Sequence, residues 1–411
     1  MLAIPSKSEP CPALSAMTGP EHPYFYLDGC ATAPLRESVI SCMIRAQQES
    51  WGNPSSLHRI GCDAAESLER ARLSISNSLG ADRSDILFCS GATESAHLAL
   101  IGLAKTQSPG RLVISSVEHP AVAAAAQQLV ACGWTIEEWP VDAFGKIQME
   151  HLDRLLQAPT KIVSLIWGQS EVGTLQPIQV VGEACRSKRI PFHTDATQVL
   201  SQGCPNWNEL PVDLLTASAH KCGGPRGIGL LLFRQEIAER IQPLFAGGEQ
   251  ENGLRAGTEC PVLAQGMAAA FRDIASCQAN QIELSGSGIA SVRDALLALL
   301  CQNDAIRLNG HPTERLPHHL SMLVSDRHGQ PMSGRALVRA LDREGIAASS
   351  GSACSSGRDS DSPILKAMGV DPLWRRSGLR LSLGYWINPA TLTEINDRIQ
   401  NAIDRMNHNL A

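Results

Sequence analysis

Lys221 stands in Ser218-Ala219-His220-Lys221, between the apolar run Leu214–Ser218 and the glycine-rich turn Cys222-Gly223-Gly224-Pro225-Arg226-Gly227. A lone lysine is ordinarily a solvated surface group. One lodged between a core strand and a tight turn is partly desolvated, and desolvation favours the neutral, nucleophilic amine that condenses with an aldehyde. Asp195 closes His193-Thr194-Asp195 and precedes Ala196-Thr197-Gln198. Turn formation is the common use of such an aspartate, but a carboxylate at a strand end also suits a protonated ring nitrogen. Ser90-Gly91-Ala92-Thr93-Glu94 reads as a small-residue turn opening a helix. It has the look of an ordinary N-cap, and it also offers free N–H groups and a positive dipole end to a phosphate, with Ala92 and Thr93 placed for contact. His119, after Glu118, can cover a π-face and titrate near neutrality. A phosphate cradle, an amine, a carboxylate and an imidazole together describe a site for pyridoxal 5'-phosphate.

Each of these residues follows a short apolar run, and the runs alternate with helical stretches. Asp85–Ser90, Arg111–Val117, Thr135–Val141, Lys161–Trp167, Pro191–Thr194, Leu214–Ser218 and Ile228–Phe233 read as strands. Glu94–Ala104, Ala121–Cys132 and Val180–Lys188 read as helices between them. This alternation predicts an α/β fold with crossover connections and a mixed, mostly parallel sheet, its ligands beyond the strand carboxyl ends. After about Phe271 the texture changes to a helix over Ile282–Leu300, a strand over His318–Val324, a helix over Ser333–Glu344 and a strand over Leu379–Leu383. A final helix starts at an Asn388 cap and Pro389, with Leu392, Ile395, Ile399 and Ile403 at helical spacing. The expected organisation is a flexible arm over 1–23, a large cofactor-binding domain over 24–275, and a smaller α+β domain over 276–411.

The chain resembles the class V aminotransferase-like cysteine desulfurases of the NifS/IscS type, from Tyr26 to roughly Ile403. The matching text includes Gly52-Asn53-Pro54-Ser55-Ser56, Ser90-Gly91-Ala92-Thr93-Glu94-Ser95, Glu171-Val172-Gly173 and Ser218-Ala219-His220-Lys221. Gly253-Leu254-Arg255 with Gly257-Thr258, Ser350-Gly351-Ser352-Ala353-Cys354, and Leu379-Arg380-Leu381-Ser382 extend the match. The resemblance implies pyridoxal-phosphate fold type I. It implies that Lys221 holds the cofactor aldehyde, Asp195 the ring nitrogen and His119 the ring face. Ala92, Thr93, Ser218 and His220 would hold the phosphate, and Gln198 and Ser170 would lie at the phenolic oxygen. Thr258 would reach the phosphate of a partner in a homodimer, and Arg380 would clamp the carboxylate of L-cysteine. Cys354, in a segment without bulky residues, would sit on a mobile loop, take the substrate sulfur as a persulfide and pass it to an acceptor such as an iron–sulfur scaffold or a thiolation partner. Two departures stand out: Gln169-Ser170 where the family has Asn-Asn, and Gly29-Cys30-Ala31-Thr32-Ala33-Pro34 where it has Asn-Ala-Ala-Thr-Thr-Pro. Selenocysteine lyase chemistry, or a non-catalytic scaffold in sulfur transfer, are the alternatives to a desulfurase.

Composition bounds these readings. The 411 residues carry 35 Lys+Arg against 41 Asp+Glu, so the chain lacks the basic surplus of a nucleic-acid coat. No apolar stretch approaches the ~18 residues of a membrane span, and residues 1–23 lack the pattern of a secretory signal. The 13 cysteines are odd in number and lack CxxC spacing, which argues against a disulfide framework or zinc ligands and for thiols in a reducing cytoplasm.

Overall fold

The computed structural model describes residues 24–279, 288–351 and 361–409. The arm over 1–23 and Cys354 lie outside the described residues. The strands in chain order are β1 (Phe25–Tyr26), β2 (Ile86–Cys89), β3 (Arg111–Ser115), β4 (Thr135–Trp139), β5 (Thr160–Ile166), β6 (Phe192–Asp195), β7 (Leu214–Ser218), β8 (Gly229–Phe233), β9 (Ile306–Asn309), β10 (His319–Val324), β11 (Ile346–Ala347) and β12 (Gly378–Ser382). Seven of them form the main sheet in the order β2-β8-β7-β6-β5-β3-β4. All neighbours pair in parallel except at β8, which runs antiparallel to both β2 and β7. The reversal has a local cause. The segment between β7 and β8 is a tight turn through Gly223 and Gly227, both at positive φ, and too short for a helical crossover.

The strands inside the sheet are buried on both faces and largely apolar, whereas the edge strand β4 exposes Thr135 and Glu138; alternate residues serve two separate cores. Phe88, Val113 and Leu215 face a core shared with helices Arg59–Leu79, Ile178–Ser187 and Pro261–Ala279. Leu87, Leu112 and Leu214 face the opposite core, shared with the helical run from Ala92 and with helix Pro120–Val130. A third core joins an antiparallel sheet, β12-β10-β9, to helices Gly288–Leu300, Gly334–Arg343 and Leu392–Asn409. Phe25 and Leu27 belong to this third core, and β1 pairs in parallel with β11. The N-terminal strand is thus built into the layer formed by the C-terminal third.

Beyond the expected elements, helices Glu37–Glu49, Arg59–Leu79 and Pro261–Ala279 stand against one face of the sheet. The helix expected over Ile282–Leu300 is described from Gly288 to Leu300. One ion pair ties Arg59–Leu79 to the sheet. Arg72 donates through two nitrogens to both carboxylate oxygens of Glu251, at 2.7 and 3.0 Å, and Glu251 also accepts from the Phe88 amide on β2 at 3.0 Å. Glu251 and Asn252 hold left-handed backbone, with φ of 49° and 56°. Removing Arg72 strands a buried carboxylate, so Arg72→Met is expected to cost about 3–5 kcal/mol in urea unfolding. The double variant Arg72→Met/Glu251→Gln is expected to cost less than the single one. A single-variant loss below about 1 kcal/mol would mean that the pair does not hold the helix to the sheet.

Candidate functional site

The chain turns from β3 to β4 on one side of the sheet and from β5 to β6 and β7 on the other. Between β3 and β5 the winding direction changes, and the loops leaving these strands part to form a crevice. A cavity of about 530 Å³ opens there, at the carboxyl ends of the parallel strands. Every predicted cofactor residue except Thr258 lines it, as does Arg380.

The strand ends fix each group. Asp195 is the last residue of β6 and is buried, and its Oδ1 accepts from the Thr197 amide at 2.9 Å. Beneath it, His193 is wedged between Ser164 Oγ and Thr216 Oγ1 at 2.8 and 2.9 Å, and burial pushes its pKa down to about 4. His119 caps helix Pro120–Val130. Its Nδ1 accepts from the Ala121 amide at 3.1 Å, which places the ring's proton on Nε2. Glu118 Oε1 accepts from Ser115 Oγ at 2.6 Å and from the Ile166 amide at 2.7 Å, joining the ends of β3 and β5 directly under the crevice.

Ser218 ends β7, and His220 and Lys221 sit on the single turn that follows. Lys221 Nζ donates to the carbonyls of Cys30 and Ala31 at 2.6 and 2.8 Å, so two main-chain oxygens locate the amine. His220 Nδ1 lies 3.2 Å from Thr32 Oγ1. Burial, then the charges of Lys221 and Arg226, push His220 down to about 4, leaving a neutral ring. Ala92 and Thr93 form the first turn of the helix that opens at Gly91. Gln198 donates from Nε2 to the Cys30 carbonyl at 3.1 Å.

Arg380 comes from β12 of the smaller sheet. Its two terminal nitrogens donate to the Ser170 carbonyl at 3.0 Å and to Asp28 at 2.8 Å, while its buried Nε lacks an acceptor among the described residues. The two residues that depart from the Asn-Asn pattern divide their tasks. Gln169 is buried and folds the turn, its Oε1 accepting from the amides of Glu171 and Val172 and its Nε2 donating to Val117. Ser170 faces the cavity. Thr258 is exposed and does not line the cavity of its own chain; it lines an adjoining cleft with Cys89 and with Ser90, which the two share.

The donor set fits pyridoxal phosphate. The cavity wall offers helix amides, a hydroxyl and a neutral imidazole suited to an anion, a carboxylate suited to a cationic nitrogen, and an amine suited to an aldehyde. Thr197 Oγ1, also in the cavity wall, is buried and unpartnered among the described residues. Sequence reasoning passed over Thr197, Arg226, Cys30 and Asp28. Thr197 was visible as a polar residue just beyond a strand end and Arg226 as the cation in the glycine-rich turn before β8; the last two reach the site only through the pairing of the N-terminal segment with β12.

The aminotransferase class-V family matches residues 25–392. A cysteine desulfurase IscS of Methanosarcina thermophila is 35% identical over 366 residues, 89% of this chain and 88% of its own. A cysteine desulfurase NifS of Azotobacter vinelandii is 34% identical over 362 residues, 87% of each. Among solved structures, a NifS-like protein superposes with a TM-score of 0.83 at 29% identity, over 93% of this chain and 99% of its own. A structure described as SspA in complex with cysteine gives 0.75 at 27% identity, over 87% and 98%.

Burial makes acid–base behaviour at the crevice visible in stability. It pushes Glu118 up to about 8 and Glu171 up to about 7, against the hydrogen bonds that oppose it. The folded chain therefore keeps protons there that an unfolded carboxyl, with a pKa of ~4.3, has released, and stability falls as pH rises through the gap. The buried histidines, neutral when folded, slope the other way below about pH 6.5 and are silent above it. Between about pH 6.5 and 8, urea unfolding is expected to lose up to ~1.4 kcal/mol per pH unit for each carboxyl still protonated, and Glu118→Gln to flatten that slope. An unchanged slope in Glu118→Gln would mean that Glu118 is already ionised.

Proposed function

This chain belongs to the class V aminotransferase family, with its cysteine desulfurases, and we propose that it converts L-cysteine to L-alanine while Cys354 takes the sulfur as a persulfide. The observation that carries the reading is the convergence of Lys221, Asp195, His119 and Arg380 on one cavity at the switch in sheet winding. The likeness to a protein whose structure contains cysteine supports the substrate. When bound, pyridoxal phosphate supplies an electron sink for negative charge at the substrate Cα.

The residues divide the remaining work. Ala92, Thr93, Ser218 and His220 hold the phosphate, Asp195 the ring nitrogen, Ser170 and Gln198 the phenolic oxygen, and His119 the ring face. Arg380 binds the substrate carboxylate; its guanidinium is fixed by Asp28 and Ser170, and its unsatisfied Nε is the group an incoming carboxylate would complete. Lys221 Nζ moves the α-proton. His119 carries its own proton on Nε2 while Nδ1 is engaged, so it acts as a donor rather than as the base. Cys354 Sγ attacks the substrate sulfur as a thiolate, forming the S–S bond as the substrate C–S bond breaks, and the substrate carbon skeleton leaves as alanine after reprotonation.

We further propose a homodimer in which Thr258 of the partner subunit completes the phosphate site; its exposure and its place outside its own cavity support this. The acceptor is a protein partner such as an iron–sulfur scaffold or a thiolation enzyme. We also propose a cytoplasmic setting, which the thirteen cysteines, odd in number and without CxxC spacing, support. No described helix is long and apolar enough to cross a membrane.

The test is intact-mass analysis of the protein after addition of L-cysteine. The expected gain is one sulfur atom, mapped to Cys354 by peptide digestion and absent from Cys354→Ser. Sulfide release continuing unchanged in Cys354→Ser would favour a lyase without a persulfide. In Lys221→Ala the visible absorbance of lysine-bound cofactor is expected to vanish and alanine formation to fall by on the order of 10²–10⁴. Wild-type protein that shows no such absorbance with pyridoxal phosphate would favour a scaffold.

A further inference from the structure

The turn over 29–31 lies outside the strand pairings, since β1 ends at Tyr26 and the bridge of Asp28 to Ser382 is an isolated one. The smaller sheet holds it through two residues, Ser382 and His318. Ser382, the last residue of β12, accepts from the Gly29 amide at its carbonyl at 3.1 Å and from the Cys30 amide at its Oγ at 2.8 Å. The Cys30 thiol lies 3.2 Å from Nε2 of His318, the residue before β10. Cys30, His318 and Ser382 are all buried, and Nδ1 of His318 lacks a partner among the described residues. The sulfur is thus the anchor of a buried imidazole, and a buried polar ring is costly to strand.

The carbonyl of the same residue serves the cavity. It accepts from Lys221 Nζ at 2.6 Å and from Gln198 Nε2 at 3.1 Å, and the Ala31 carbonyl takes Lys221 Nζ at 2.8 Å. We propose that His318 and Ser382 are positioning residues that act through Cys30: by holding its thiol and its amide, they set the carbonyl on which the Lys221 amine rests. The inference rests on the desulfurase reading above, in which that amine moves the substrate α-proton.

Covalent geometry links the two ends of Cys30. Once its amide and its side chain are both held, ψ is the one soft dihedral left between them and the carbonyl oxygen. Release of either hold frees a second rotation, and the oxygen that locates the amine wanders. Proton transfer suffers from such a displacement, because a reacting group about 1 Å out of place can cost about 10²-fold in rate. Binding of the substrate carboxylate is spared, because that task falls to Arg380, whose own partners are Asp28 and the Ser170 carbonyl.

The experiment compares wild type with Cys30→Ala, His318→Leu, Ser382→Ala and the double variant Cys30→Ala/His318→Leu. An amine engaged by two carbonyls is slow to acylate. In the full chain freed of cofactor, trace acetylation of Lys221, read by peptide mass analysis against the other lysines, is expected to rise about 3–10-fold in each single variant, the worth of one hydrogen bond. In the holoenzyme, hydrogen–deuterium exchange of the peptide spanning 27–33 is expected to rise by about the same factor. The double variant should match Cys30→Ala within about twofold on both measures, because it removes two ends of one contact. For the reaction, kcat is expected to fall about tenfold, with KM for L-cysteine and cofactor absorbance held within about twofold. Wild-type acetylation and exchange in Cys30→Ala and Ser382→Ala would overturn the proposal. So would a double variant whose effect is the product of the two singles, or a raised KM with unchanged kcat, which would put the turn in substrate binding. Acetylation and exchange need no turnover, so they read the hold on the amine even if wild-type protein forms no alanine.

Discussion

Parallel strands must end together, and the site depends on that constraint. β3, β5, β6 and β7 run the same way, so His119, Ser170, Asp195 and Lys221 arrive at one level although about fifty residues separate the first two. The Glu118 carboxyl reinforces the level where it matters most. It bonds the ends of β3 and β5, the two strands between which the crevice opens. Nothing in the site requires a long or specialised loop to deliver these four groups. Each is the residue at, or a few positions beyond, the end of a rigid element.

The electrostatics follow from burial more than from pairing. The imidazoles of His193, His220 and His318 are held neutral by desolvation, so they act as hydrogen-bonding groups and add no positive charge near the cavity. The cationic side chains that line the cavity are Lys221, Arg226 and Arg380. Arg380 belongs to the smaller sheet but donates to Asp28 and to the Ser170 carbonyl, so this cavity-lining guanidinium is also a fastening between layers.

The sheet was readable because its strands other than the part-exposed β4 are buried on both faces and therefore written largely as apolar runs; the chemistry-bearing residues followed as polar punctuation after the runs. The helix Arg59–Leu79 was not read from the sequence, although its inward face carries Ala64, Leu68, Ala71, Ile75 and Leu79 at helical spacing; the buried Ser67, Arg72 and Ser76 interrupt that face and blur its apolar stripe. Helix Pro261–Ala279 fails the opposite way, with alanines around most of its surface. Asp28 and Cys30 were hidden for another reason. Strand β1 has two residues, and its pairing with β11 joins positions more than three hundred residues apart, which no local pattern reports. The role of Gln169 was likewise invisible, since whether a polar side chain looks into a cavity or back at its own turn is decided by tertiary packing.

The contacts that locate the Lys221 amine come from the carbonyls of Cys30 and Ala31, not from their side chains. Recognition by peptide oxygens is blind to residue identity. A substitution at Cys30 that keeps the backbone on its course therefore leaves the amine's two carbonyl contacts in place, and alters instead a buried thiol that lies 3.2 Å from His318 Nε2.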